Sequence, residues 1–288
     1  MLGPGPTTGA GGALVVAGDK APPASYAPAV TDSGFSQLRC TIAAPHVALI
    51  QLARAEALNA LSLEMCQELM AALSFAGDTA EVRAVIITGS GPVFSMGDEF
   101  RGTVPDGGGG QIAPVAAVLA KLEGLGKPTI AAINGRAHGA GLALALACDV
   151  VIASQEAELA APEIRFGLWS MHLTPYLVRA IGPRRAFEMM ATGLPVRGAV
   201  AELGGLVNRA VHPSELQAEV INLASKLASW SPSALRYGLQ AVRRIATDKA
   251  DAERAELQSL LDALLATDDA REGLDAFNGQ RAPQWKGV

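Results

Sequence analysis

Cysteine is nearly missing from this 288-residue chain: only Cys40, Cys66 and Cys148 occur, far apart and at no metal-ligand spacing. That scarcity argues against a disulfide framework and points to buried thiols in a reducing compartment, the cytoplasm. Clusters of basic residues are lacking as well. With 23 Lys and Arg against 28 Asp and Glu the formal charge is −5, so neither a nucleic acid nor an anionic membrane surface meets a basic footprint. No apolar run reaches the ~20 residues that span a bilayer; the longest, 142–153, is interrupted by Asp149 and reads as core. The four histidines, His46, His138, His172 and His212, form no chelating pair, and no metal site is expected.

Several familiar motifs are also absent. Gly139 and Gly141 lack the third glycine of a dinucleotide fingerprint, and Gly126-Lys127 lacks the earlier glycine of a phosphate loop. Ser95 follows Val93-Phe94, without the first glycine of a nucleophile elbow. There is no repeat of 20 to 50 residues and no long heptad array.

Half of the residues are hydrophobic, enough for one large domain or one domain with a small appendage. Residues 1–36, rich in Gly and Pro and without a basic n-region, read as a loose extension and not as a secretory or transit signal. Beyond it, His46 to Leu52 reads as a strand. Ser62 then caps a helix with Leu63, Cys66, Met70 and Leu73 on its apolar side, ending near Gly77. Further strands are expected at 84–88, 129–133 and 150–153, with helices at 114–122 and 140–147 and a glycine-rich stretch at 106–110. Strand, helix, strand at this spacing implies parallel pairing and an α/β class. From His172 the pattern turns helical, around 173–181, 184–192, 214–229, 234–245 and 252–265. The division is therefore a core at 37–206 and a helical C-terminal region at 207–288.

Two glycine-containing loops, 91–99 and 134–141, each leave a strand. Glycine lets backbone come close to a ligand, so the loops are either tight turns or a means of aiming two peptide N–H groups at one oxygen.

Glu56-Ala57-Leu58-Asn59-Ala60-Leu61-Ser62, Phe94-Ser95-Met96-Gly97-Asp98-Glu99, Lys127 to Gly135, Ala147-Cys148-Asp149, Ala161-Pro162-Glu163-Ile164, Gly167-Leu168, Ala201 to Val207, and Glu272 to Phe277 with Arg281 and Pro283 follow one another in a set order and spacing. In both respects the chain resembles the crotonase, or enoyl-CoA hydratase/isomerase, superfamily over roughly residues 45 to 285.

The resemblance implies a spiral of ββα turns with a helical C-terminal oligomerisation region, assembly as a homotrimer or a dimer of trimers, and an acyl-CoA thioester substrate. CoA belongs to that substrate, and no separate cofactor is implied. The thioester carbonyl is expected on the peptide N–H groups of Asp98, where the common pattern has alanine, and Ala140, where it has glycine. CoA is expected along Arg54, Ala55, Ala57 and Leu58, with Ser95, Met96 and Gly97 beside them; Arg54 reads equally as a solvated surface charge. His138, Trp169 and His172, with Glu99 and Ser170, are candidates for the acyl pocket, which Trp169 and Met171 reshape where many relatives carry a Pro-Gly turn. An Asp98 carboxylate pointing inward would oppose a developing enolate.

Hydratases of the family use two glutamates. One falls on Glu163; the other falls on Ala143, which can neither hold water nor move a proton. One carboxylate suffices for a 1,3-proton shift, so Glu163 as acid/base favours isomerisation of an enoyl-CoA double bond. The alternatives are hydration with a non-standard water-binding residue, other enolate chemistry such as decarboxylation or thioester hydrolysis, and a weak acyl-CoA-binding or scaffold protein.

Overall fold

The structure, a computed structural model, describes residues 34–99, 114–246 and 250–284, with side chains described outside 244–255. The expected N-terminal extension up to residue 33 and the glycine-rich stretch 106–110 lie outside the described residues.

Chain order explains the architecture. β1 (Leu38–Ala44) and β2 (Val47–Leu52) form an antiparallel hairpin turning at His46, and α1 (Leu63–Asp78) follows. The Ser62 side chain accepts a hydrogen bond from the Met65 N–H, which satisfies one free donor of the first turn of α1. Then comes a unit used repeatedly: one strand for a large sheet, one short strand for a small sheet, then a helix. It runs β3 (Ala84–Gly89), β4 (Val93–Ser95), α2 (Val115–Glu123), and again β5 (Thr129–Ile133), β6 (Arg136–His138), α3 (Gly139–Leu146). The third turn is β7 (Val150–Ser154), β8 (Glu158–Ala160), a 3-10 turn at Pro162–Phe166, and α4 (Thr174–Thr192). The chain is thus the spiral of ββα turns that the resemblance implies.

The large sheet has the order β1-β2-β3-β5-β7-β10, parallel from β2 onward, where β10 is Arg209–Val211. The small sheet has the order β4-β6-β8-β9, with β9 (Val196–Arg197) closing it antiparallel. Because β10 lies past residue 206, the large sheet runs into the region that the sequence assigns to the helical part. Between β9 and β10 sits α5 (Gly198–Leu203).

The large sheet is buried on both faces, and its strands are correspondingly near-continuous apolar runs. Val85, Ile87, Ala131 and Ile133 face Leu69 and Leu73 of α1 and Val118 and Leu122 of α2, while Ala84, Ile86, Ile130 and Ile152 face α6 (Leu216–Ser229) through Leu216, Val220 and Ala224. Within α4, Gly182 leaves helical geometry (φ 77, ψ 162) ahead of Pro183, so the element is two helices meeting at a kink, at the residues where the sequence separates 173–181 from 184–192. The C-terminal helices are α7 (Pro232–Ala246), α8 (Ala250–Leu265) and α9 (Asp268–Asn278). The last packs Ala270 and Leu274 on Leu168, just after the 3-10 turn, and Phe277 edge-on to Phe166 at 4.7 Å. No helix of the described residues is long and apolar enough to cross a membrane.

Asp149 ties these parts together. Its Oδ2 accepts from the Thr129 N–H (2.9 Å) and the Thr129 hydroxyl (2.8 Å), which fixes the start of β5. Its Oδ1 pairs with Arg243 of α7, docking the C-terminal helices on the sheet. Asp149→Ala removes the acceptor of two Thr129 donors and the carboxylate beside a partly buried guanidinium, and is expected to lower stability by about 3 kcal/mol, read as an earlier midpoint in urea unfolding.

Candidate active site

The site is built where the two glycine loops meet. Asn59, fully buried at the end of the 3-10 turn Ala55–Ala57, donates from Nδ2 to the carbonyls of Ser90 (3.0 Å) and Val93 (2.8 Å), and its own carbonyl accepts from the Ser95 hydroxyl (2.7 Å). The Met96 N–H donates to Leu58 O and the Leu61 N–H to Gly97 O. These bonds hold the segment 54–61 and the loop 95–98 as one surface, which brings together Ala55, Ala57 and Leu58 with Ser95, Met96 and Gly97, as the sequence grouped them. Leu58 stays exposed, while Ser95 is buried.

Gly97 has φ +87, and a Cβ there would lie 2.8 Å from His138 O and 3.0 Å from Ala140 N. Only glycine permits that approach. It sets the peptide of Asp98 beside the first turn of α3, where the Ala140 N–H has no partner within the helix. Both expected oxyanion donors therefore lie in one place.

Glu163 reaches the same place from the 3-10 turn. A Cβ on Gly139, whose φ is +49, would stand 1.6 Å from Glu163 Oε1, so the carboxyl rests on the bare Cα of that glycine. Glu163 is 5 % exposed and its Oε2 is sealed without a hydrogen-bond partner. Burial foremost pushes its pKa up to about 7; the Asp98 carboxyl adds to the rise, while its own peptide N–H and the Ser170 hydroxyl hold it back. Ala143, in the position of the family's other glutamate, is fully buried in α3.

Asp98 points inward. Its Oδ1 is sealed and unpartnered, and burial raises its pKa while His172 opposes the rise. His172 Nε2 is likewise buried without a partner. Trp169 donates from its indole to Thr174 Oγ1 (3.1 Å) and lies 6.0 Å from the Phe187 ring, so it forms part of the wall in front of α4.

Two candidates sit differently from expectation. Arg54 is held in a two-pronged ion pair by Glu99 (3.1 and 3.3 Å), so neither is a free charge, and Glu99 is turned to Arg54. His138 ends β6, just before α3, and the charges acting on its ring are Arg136, Glu158 and Arg165; burial foremost, with the Arg136 and Arg165 guanidinium groups, lowers its pKa to about 4 against the opposing pull of Glu158. Among the described residues no group of three His, Cys, Asp or Glu side chains is arranged to hold a metal. Asn59, the brace under the first loop, went without a role in the sequence. Its buried amide near a glycine loop was the available signal.

A family profile described as enoyl-CoA hydratase/isomerase matches residues 43–288. The chain belongs to the enoyl-CoA hydratase/isomerase family. It is 36% identical over 244 residues to a probable enoyl-CoA hydratase of Mycobacterium tuberculosis, covering 83% of this chain and 94% of that protein. Among solved structures, an enoyl-CoA hydratase from Mycobacterium avium subsp. paratuberculosis superposes with a TM-score of 0.77 at 26% identity, over 87% of this chain and 99% of the other. A monofunctional enoyl-CoA isomerase from Mycobacterium smegmatis gives a TM-score of 0.65 at 34% identity, over 73% and 93%. Acyl-CoA chemistry of this hydratase/isomerase type follows for the chain, and the relatives include both a hydratase and an isomerase.

Gly139→Ala inserts a methyl group into the space of the Glu163 carboxyl. The carboxyl is expected to swing out into solvent and titrate near its ordinary 4.5 instead of about 7, as measured by carbon NMR of labelled glutamate side chains.

Proposed function

We propose that this member of the family is an enoyl-CoA isomerase that moves a double bond from C3–C4 to C2–C3 of an acyl-CoA thioester, with Glu163 as the acid/base. The observation that carries the reading is the seat of Glu163. It is a buried carboxyl on the bare Cα of Gly139, with a pKa pushed up to about 7, beside the first-turn N–H groups of α3. A base of that pKa is half ionised at neutral pH and returns its proton as readily as it takes it.

In this reading the Asp98 and Ala140 N–H groups hold the thioester oxygen, whose charge grows as the C2 proton leaves. The C2–H bond breaks as Glu163 O–H forms, the electron pair spreads over the dienolate, and C4 is protonated as C2=C3 forms. Nothing besides the CoA thioester is consumed, and no further cofactor enters. Ala143 supports isomerisation over hydration, because its methyl offers no second carboxylate there to position a water. The raised pKa of Glu163 argues against a protein that only binds acyl-CoA, since a buried carboxyl is costly to keep without use.

CoA would run along Ala55, Ala57, Leu58 and Ser95 to Gly97, with Arg54 exchanging Glu99 for a phosphate. The acyl chain would run toward Trp169 and His172, with His138 behind the second donor loop. Assembly as a homotrimer or a dimer of trimers is supported by the large apolar side chains left exposed along α4 to α5, Phe187, Leu194, Val200 and Leu203. The three free thiols suit the reducing cytoplasm.

Incubation with a 3-enoyl-CoA in labelled water is expected to give the 2-enoyl product without oxygen gain. Glu163→Gln should lower kcat by roughly 10²–10⁴-fold, and wild-type kcat/KM should fall as pH drops through about 7, where the carboxyl becomes protonated. Full activity in Glu163→Gln sinks the reading; labelled oxygen in the product of crotonyl-CoA converts it to hydration.

A further inference from the structure

The geometry points to Asp98 as a second acid–base residue, its carboxyl sharing one proton with Glu163 and serving as the proton donor to C4. The inference rests on Glu163 being the base. It concerns the side chain of Asp98, a group distinct from the peptide N–H through which that residue enters the oxyanion hole.

Three observations carry it. The backbone brings the two loops together: Gly97 is pressed against His138 O and Ala140 N, and Gly139, between those two residues, bears the Glu163 carboxyl, so the loop that carries Asp98 meets the seat of the acid. Next, the buried unpartnered atoms of the described residues include Asp98 Oδ1, Glu163 Oε2 and His172 Nε2. Sealed polar atoms without partners are uncommon in a folded protein and mark places where a proton, water or substrate is received. Finally, each group acts on the next: Asp98 on Glu163, His172 on Asp98, and Asp98 on Cys66 of α1, whose thiol is pushed up to about 12 mainly by burial.

Among the described residues, the titratable groups that act on Asp98 or feel its charge from the neighbouring elements are Cys66 of α1, Glu163 of the 3-10 turn and His172 of the segment before α4. Glu99, next in sequence, is turned to Arg54. Burial raises the pKa of both carboxyls, so both cannot ionise cheaply, and in this inference they hold one proton between them. This also resolves the conflict of a carboxylate at an oxyanion hole, since a protonated Asp98 does not repel the enolate.

The step balances. Glu163 as carboxylate takes the C2 proton; the Asp98 carboxyl gives its proton to C4, breaking O–H and forming C4–H. The proton on Glu163 then redistributes over the pair, which ends as it began. Asp98 thereby supplies from the first loop the second carboxyl that Ala143 cannot supply from α3.

The test uses Asp98→Asn and Asp98→Ala, the latter carrying the residue of the common family pattern and keeping the peptide N–H, each checked for folding by circular dichroism. Wild-type isomerisation is expected to give a bell-shaped kcat/KM profile, with the alkaline limb reporting loss of the shared proton. That limb should vanish in both variants. In addition, a single turnover of a 3-enoyl-CoA deuterated at C2 should carry almost none of the label to C4 in the wild type, because the deuteron stays on Glu163 while Asp98 gives C4 its own proton. With Glu163 as the sole carrier, Asp98→Ala should pass a clearly larger share of the label from C2 to C4. An unchanged alkaline limb and unchanged label transfer in both variants, alongside an inactive Glu163→Gln, overturn the role of Asp98 and leave Glu163 as sole base. An active Glu163→Gln instead overturns the reading on which the inference rests.

Discussion

A carboxyl group lies against a bare glycine Cα at the centre of this molecule, and the architecture around it follows from the need for that contact. Glu163 and Gly139 belong to different turns of the spiral, and neither turn brings the other close by local sequence. The parallel pairing of β6 with β8 does so: it sets the start of α3 beside the chain leaving β8, so the 3-10 turn delivers its glutamate onto the first turn of the helix. The β4–β6 pairing does the same for the other loop and brings Gly97 against His138 and Ala140. A small sheet of two- and three-residue strands thus fixes three segments to the precision that the chemistry needs.

Such short strands do not hold themselves. They are stable because each is continuous with a strand of the large sheet or with a helix, and the large sheet is buried on both faces by α1, α2 and α6. Buried polar braces complete the work. Asn59 joins the segment before α1 to the β3–β4 connection, and Asp149 joins β5 to α7. Both use short side chains that satisfy several backbone or hydroxyl groups at once, which makes them costly to remove and gives them no part in proton transfer.

Four strands of the large sheet were legible in the sequence because buried parallel strands appear as short apolar runs, and β2, β3, β5 and β7 stand where those runs are; β1 and the three-residue β10, at the two edges, were not. The capped α1 and the break between 181 and 184 were legible for equally local reasons, a serine cap and a Gly-Pro step. The small sheet was not. Three residues carry too little periodicity, and β4 and β6 fall at or beside segments whose glycines dominate the reading. The grouping of Asp98, Ala140 and Glu163 came from resemblance to a family and not from spacing. The pairing of Arg54 with Glu99, 45 positions apart, left no local trace, and the side-chain direction of Asp98 depends on packing against α1 and the segment before α4, which only the folded chain defines.

The placement of charge in the site follows from these same constraints. Alanine at 143 lets α3 bury without a polar group on that side, and the helix is apolar along almost its whole length. A carboxylate there would have to be solvated or paired. Moved to position 98, a carboxyl enters from a loop, where His172 and the Glu163 carboxyl face it and where the peptide N–H of the same residue partly compensates its charge. The site thereby keeps two carboxyls beside the two glycine loops while α3 remains apolar. Burial holds both toward their neutral forms, and the Asp98 carboxyl adds to the rise at Glu163.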